Sequence, residues 1–303
     1  MELTDHHDPL IPSKIPYWSW IKLLGLEAPV ASVIWALAFC AILDLNATPF
    51  RIYQFLFVAT WCITILRRLS LVIGDDPACT TQSELFFMRG NFFVFILLFA
   101  IASICGIWLI LFQIGSGAVS YAWVPTFFGL WYLSKLRKTK GVAPTSGRVA
   151  FAFLFGAIAF SSGVVIPSFF YSYSYSSILP FYAVQTRFLF YPPVWYLIAF
   201  VYISLMSRYF WYQEHDGGDD KNHLGLLCSL GMLLLFIICI TANSWHLTVN
   251  EYWYYKTLAV GAGGLYLLNH FRGRIAYETR TSLMWLALIL PALLLLLLLK
   301  SPF

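Results

Sequence analysis

Seven of the 14 acidic residues fall in two short stretches, Asp75, Asp76 and Glu84 in one and Glu214, Asp216, Asp219 and Asp220 in the other. Carboxylates that converge are hard oxygen ligands suited to Mg2+, and a bound Mg2+ can in turn hold a diphosphate. A plainer reading stands beside it, because solvated loops are simply where carboxylates are tolerated. Arg67 and Arg68 precede the first stretch and Arg208 precedes the second. Guanidinium forks match phosphate oxygens two at a time, so these arginines are candidates for holding a phosphorylated headgroup. They could equally pair with Glu214 or Asp216 as a metal-free ion-pair cluster, since charges at a membrane find partners. A third arrangement keeps the metal, with Asp75, Asp76, Glu214, Asp216, Asp219 and Asp220 as its ligands.

Other chemistry is thinly represented. The six histidines include no helical Glu-x-x-His pair, which argues against a di-iron or haem centre inside a bundle. Five of the six cysteines lie in apolar runs, Cys79 alone in a polar stretch, and there is no CxxC pair, so structural thiols are expected. No Gly-rich phosphate loop, zinc pattern or serine-hydrolase arrangement is present. The basic run Lys135-Leu-Arg-Lys-Thr-Lys140 could contact anionic lipid, although setting membrane orientation explains it as well.

The elements that must position these residues follow from composition. Of 303 residues, 60% are apolar and 11% charged, with a mean hydropathy of +0.75. A soluble domain carries about 25% charged residues, and this chain could not cover itself with a water-compatible surface. Nucleic-acid binding, secreted disulfide scaffolds and soluble enzymes are excluded. A span needs about 20 mostly apolar residues to cross a hydrocarbon core of about 30 Å, and nine segments meet that: 28–45, 52–73, 91–112, 118–136, 148–170, 191–210, 224–240, 252–270 and 281–299. Runs this continuously apolar suit helices, not alternating barrel strands. The expected fold is all-α, a polytopic transmembrane bundle of about nine spans forming one integral membrane domain over 1–303, with 1–27 as a cytoplasmic tail and interfacial segment. The acidic, polar first residues lack the pattern of a cleaved signal peptide, so the first span is expected to be retained.

Of the 19 lysines and arginines, all but Arg51, Arg187, Lys256 and Lys300 fall in the N-terminal segment or the even-numbered connections. The positive-inside rule then predicts an inner-membrane protein with a cytoplasmic N-terminus and an external C-terminus. Both acidic stretches lie on the cytoplasmic side in this scheme and could face each other across one mouth of the bundle. Tyr171, Tyr173, Tyr175 and the aromatic run that follows suit an interfacial belt. Small residues at Ala152, Gly156, Ala159 and Gly163, and at Gly261, Gly263 and Gly264, predict close internal helix packing. Pro291 and the leucines after it predict a lipid-facing last helix.

Nine spans, a cytoplasmic N-terminus and acidic groups in the second and sixth connections resemble the UbiA superfamily of intramembrane prenyltransferases. The segment Trp20-Ile-Lys-Leu-Leu-Gly-Leu-Glu-Ala-Pro29 is similar to the lead into that family's first span. The resemblance implies transfer of an isoprenoid chain from its diphosphate, with Mg2+ and diphosphate held by two motifs, roughly NxxxDxxxD and DxxxD. Asp216 and Asp220 keep the second spacing and would be the catalytic pair. Glu214, Asp219, Asp75 and Asp76 would complete the metal site, and Arg67, Arg68 and Arg208 would hold phosphate oxygens. Trp61 and Tyr212 would face a developing allylic cation. The chain departs from the pattern in the first motif, where Arg67 and Leu71 stand at the expected aspartates, and in the second, where Gly217 and Gly218 make the stretch a flexible turn. A non-catalytic subunit, scaffold or lipid-binding protein that has lost the metal site is the alternative. Membrane lipids, and an isoprenoid diphosphate among them, are the expected partners, with no nucleic acid.

Overall fold

The computed structural model describes residues 21, 24–43, 49–73, 87–114, 123–136, 147–174, 191–215, 221–242 and 248–299, with the backbone alone described at 71, 136, 166–174, 212–215, 221–224 and 278. Among the described residues the chain forms nine α-helices: α1 Glu27–Ile42, α2 Phe50–Ile73, α3 Phe92–Phe112, α4 Trp123–Leu136, α5 Gly147–Ser174, α6 Pro192–His215, α7 Lys221–Thr241, α8 Val249–His270 and α9 Tyr277–Leu298. A 3-10 turn, Arg272–Arg274, joins the last two.

Five of these helices are long and apolar enough to cross a bilayer: Phe50–Ser70, Phe92–Phe112, Gly147–Val165, Pro192–Trp211 and Thr279–Leu298. Glu27–Ile42 is apolar but shorter, as is Gly225–Thr241, the part of α7 whose side chains are described. The chain is therefore a helical protein built for a membrane, and for α8 the departure from an apolar span has a physical source. Helix α8 carries Asn250, Glu251, Lys256, Asn269 and His270, and it is packed against α7 and α9 with further contacts to α1 and α6. A helix enclosed by protein does not need the apolar surface that lipid demands. Helix α3 is the opposite case, with only Phe95, Ala102 and Leu109 buried.

Several hydroxyls within the helices are satisfied locally. The hydroxyls of Thr64, Ser204, Ser207 and Ser229 donate to carbonyls four residues earlier in their own helices, the usual recourse where water is scarce. The start of α8 is closed by a capping box, in which the Thr248 hydroxyl accepts from the Glu251 N–H and the Glu251 carboxylate accepts from the Thr248 N–H.

Helix α1 is central. It packs on α2, α5 and α9, and the Trp35 indole donates to the Leu288 carbonyl at 3.0 Å. Around it the middle of the bundle is filled with rings. Trp35, Phe39, Tyr254 and Tyr255 are each no more than 1% exposed, with centroid separations of 6.3 Å for Trp35–Tyr254, 5.7 Å for Phe39–Tyr254 and 5.3 Å for Tyr254–Tyr255. The Tyr254 hydroxyl reaches the Pro193 carbonyl at 2.6 Å, so Trp35 and Tyr254 bury their rings and still place their polar ends. A separate, smaller core joins α2 to α3 through Ile65, Leu69, Met88 and Phe95.

The small-residue stripes serve internal packing. Gly156 sits under the Tyr132 ring of α4, where a Cβ would approach to 3.1 Å. Gly261 faces Pro291, Phe200 and the Ala287 carbonyl, the first of which a Cβ would meet at 2.4 Å. The last helix, expected to face lipid, does so on one side only. Pro291, Ala287, Leu288, Ala292 and Leu295 are buried while Leu286, Leu293, Leu297 and Leu298 are exposed, because the glycine on α8 opens a berth for the proline ring.

Candidate functional site

Hydrogen bonds fix which helix ends share a side. Tyr53 on α2 reaches Cys40 near the end of α1, and Asn250 at the start of α8 reaches the Ala41 carbonyl. At the opposite side Trp61 on α2 donates to the Leu24 carbonyl at 3.0 Å, and Trp211 near the end of α6 donates to Asn269 near the end of α8 at 2.8 Å. Arg67, Arg68, Arg208, Arg272 and Arg280 all belong to this second side. Among the described residues it is strongly cationic, with Arg51 and Lys256 on the first.

Arg67 and Arg68 stand over the α2–α3 core. Both are half-buried, and the Arg67 Nε is shut off from solvent without a hydrogen-bond partner. Arg68 is held by the chain leading into α1. There Gly25 adopts φ 69°, a left-handed conformation that suits a residue without a Cβ, and the Leu26 N–H returns to the Ile21 carbonyl at 3.0 Å. The turn lies so close to α2 that a Cβ on Gly25 would come within 2.8 Å of the Thr64 methyl and 3.1 Å of the Arg68 Nε. The Leu-Gly-Leu segment singled out in the sequence thus packs directly on one of the arginines.

Arg208 sits half-buried on α6, above the main core, three residues before Trp211. Two arginines that the sequence analysis used only for orientation are in its neighbourhood. Arg280 is 8% exposed and lies over the Trp211 ring at 5.4 Å, while Arg272 lies over the Phe210 ring at 5.1 Å, both in cation–π range. Asn269 locks this corner, accepting from Trp211 and donating to the Gly225 carbonyl at 3.2 Å and to the Ser229 hydroxyl. An asparagine inside an otherwise apolar run was the signal that could have drawn attention to it.

Asp75, Asp76, Glu84, Asp216, Asp219 and Asp220 lie outside the described residues, and Glu214 is described by its backbone alone, in the last turn of α6. Of the interfacial segment from Tyr17 to Leu24, all but Ile21 and Leu24 lie outside them, as does the aromatic stretch 175–190. Among the described residues no group of three or more His, Cys, Asp or Glu gathers. The described charged groups on this side are mostly cations, with Glu27 in the first turn of α1 a carboxylate among them; guanidinium N–H donors fit phosphate oxygens and cannot ligate Mg2+. Trp61 is engaged with Leu24 and with the Phe57 ring at 6.2 Å, and so ties the lead-in segment to α2. The Tyr212 side chain lies outside the described residues.

A second feature opens sideways. A groove of about 180 Å3 runs between α2, α3 and α4, lined by Cys62, Ile63, Leu66, Phe99, Ser103, Thr126, Leu130 and Leu133. Apart from the Cys62 thiol, 3.9 Å from the Ser103 hydroxyl, and Thr126, its wall is hydrocarbon. No protein-family model matches the chain, and comparison with curated proteins and with solved structures likewise finds no match.

Proposed function

We propose that this chain is a UbiA-like integral membrane protein that binds an isoprenoid diphosphate or a related anionic lipid at its cation-rich side, which faces the cytoplasm. The observation that carries the reading is the gathering of partly and fully buried guanidinium groups, Arg67, Arg68, Arg208, Arg272 and Arg280, on one side of an otherwise apolar bundle. Desolvated arginines of this kind are strong phosphate receptors, and the bilayer supplies anionic lipids at that depth. The rings filling the middle of the bundle support binding without transfer, because a buried reaction chamber would need that volume. The competing enzymatic reading has Mg2+ held by the carboxylates of the two acidic stretches, with Asp216 and Asp220 foremost.

The test is incubation of purified protein with radiolabelled geranylgeranyl diphosphate, with and without Mg2+. Saturable binding without diphosphate release is expected, weakened about tenfold by Arg208→Gln, the cost of one charge-assisted hydrogen bond. Mg2+-dependent release that Asp216→Asn abolishes would establish the enzyme instead. Absence of binding under both conditions would remove the lipid-phosphate proposal.

A further inference from the structure

We propose that the aromatic face shared by α4 and α5 binds a sterol-type lipid, a flat fused-ring body with a hydroxyl at one end. Phe127, Trp131 and Lys135 follow one another at intervals of four along α4, which sets them on one side of that helix. Phe151 and Phe155 are spaced in the same way on α5. The two helices pack together, and the two rows meet. Phe155 lies 4.7 Å from Trp131, 5.8 Å from Phe128 and 6.5 Å from Phe151, with its plane within 29° of all three. Phe127 stands edge-on to Phe128 and Trp131. Phe127, Trp131 and Phe151 are exposed, so a stiff, largely parallel set of rings reaches the surface of the bundle.

The direction of α4 gives this face its polarity. A Cβ on Gly163 of α5 would meet Pro125 of α4 and Leu56 of α2, and one on Gly129 of α4 would meet Ile63 of α2. Helix α4 therefore runs in the same direction as α2 and ends, with Lys135, on the cation-rich side. The Lys135 ammonium lies 5.9 Å from the Trp131 ring centroid. From Phe127 to Lys135 the rise is about 12 Å at 1.5 Å per residue, on the scale of a fused-ring lipid body. None of the arginines takes part, so this site and the phosphate reading stand or fall separately.

Other readings of the face fit less well. An interfacial belt draws on Trp and Tyr, whose polar edges reach the headgroups, whereas Phe127, Phe128, Phe151 and Phe155 have no polar edge. A partner helix seeks small residues that let backbones approach, and the glycines here, Gly129 and Gly156, are turned inward against Ile63 and Tyr132. An acyl chain must give up rotational freedom to lie along stiff rings, while a fused-ring lipid arrives rigid and gives up almost none. Its hydroxyl oxygen is an acceptor for the Lys135 ammonium.

The experiment uses the full chain in phosphatidylcholine nanodiscs with a cholesterol analogue carrying a photoreactive diazirine on its ring system, the crosslinks being mapped by peptide mass spectrometry. Saturable labelling of Phe127, Trp131 or Phe151 is expected, displaced by cholesterol and unaffected by farnesol, a linear alcohol. Trp131→Leu and Phe151→Leu keep the surface apolar and remove one ring each. Each should lower affinity for cholesterol about fivefold, the scale of one aromatic contact, with the melting temperature in cholesterol-free nanodiscs unchanged. Phe151, the most exposed of the three rings at 59%, carries the test if Trp131→Leu proves unstable. Lys135→Met should weaken binding and Lys135→Arg should keep it. Labelling spread evenly over the exposed faces of α3 and α7, or unchanged affinity in both ring variants, would overturn the proposal. Displacement by phosphatidylglycerol and not by cholesterol would assign the face to anionic phospholipid and overturn it equally.

Discussion

Gly25 and Gly261 are intolerant of a methyl group for different reasons. At Gly25 the backbone is left-handed and the Thr64 methyl occupies the space; a left-handed residue with a Cβ costs about 1–2 kcal/mol. Gly25→Ala should therefore lower the melting temperature of the detergent-solubilised protein and loosen Arg68. At Gly261 the backbone is an ordinary helix, but Pro291 and Phe200 fill the site. Overpacking of that kind costs about 1–3 kcal/mol, and Gly261→Ala should destabilise accordingly while Gly273→Ala, with nothing within 4 Å, leaves the melting temperature unchanged. Asn269→Leu is the polar counterpart. It strands the Trp211 indole N–H, a cost of about 1–3 kcal/mol when buried, and it should release the Arg280–Trp211 corner, visible as a shift in tryptophan emission. The glycines on the eighth span were legible in the sequence as points of close approach, because small residues have few other uses in a membrane helix. Which neighbour each would meet was not legible, since that depends on a partner more than 20 residues away in the chain.

At the level of elements, the positions of the helices could be read and their neighbours could not. The apolar run at 52–73 is the helix Phe50–Ile73, and 252–270 is the body of Val249–His270, because lipid requires each backbone to satisfy itself whatever lies next to it. Hydropathy says nothing of which side chains interlock, so the enclosure of α8 and the exposure of α3 were both invisible. The early start of α8 is itself set by a short-range signal, the Thr248 and Glu251 capping box. Thr248→Ala should cost about 0.5–2 kcal/mol, read as faster hydrogen exchange in the first turn of α8 and a matching loss of thermal stability. The same change should weaken the Asn250 contact to the end of α1. Charge clustering marked Arg67, Arg68 and Arg208 from the sequence, whereas Arg272 and Arg280 entered only as orientation markers. Their stacking on Phe210 and Trp211 depends on the fold and carries no local motif.

For the molecule as a whole, the concentration of cations on one side carries an expectation for topology. Reporter enzymes inserted at 216–220 and at 243–247 should score on opposite faces of the membrane, the first in the cytoplasm; the same face for both would exclude the arrangement of α7 found here. The bond from Trp35 to the Leu288 carbonyl spans 253 positions and has a consequence for biogenesis. Translation proceeds at about 5–20 residues per second, so roughly 10–50 s separate the appearance of the indole from that of its acceptor. Through that interval the opening helix must wait in the bilayer with its donor unanswered. Nascent chains arrested before α9 should therefore remain associated with the insertion machinery and release only when the final hairpin arrives.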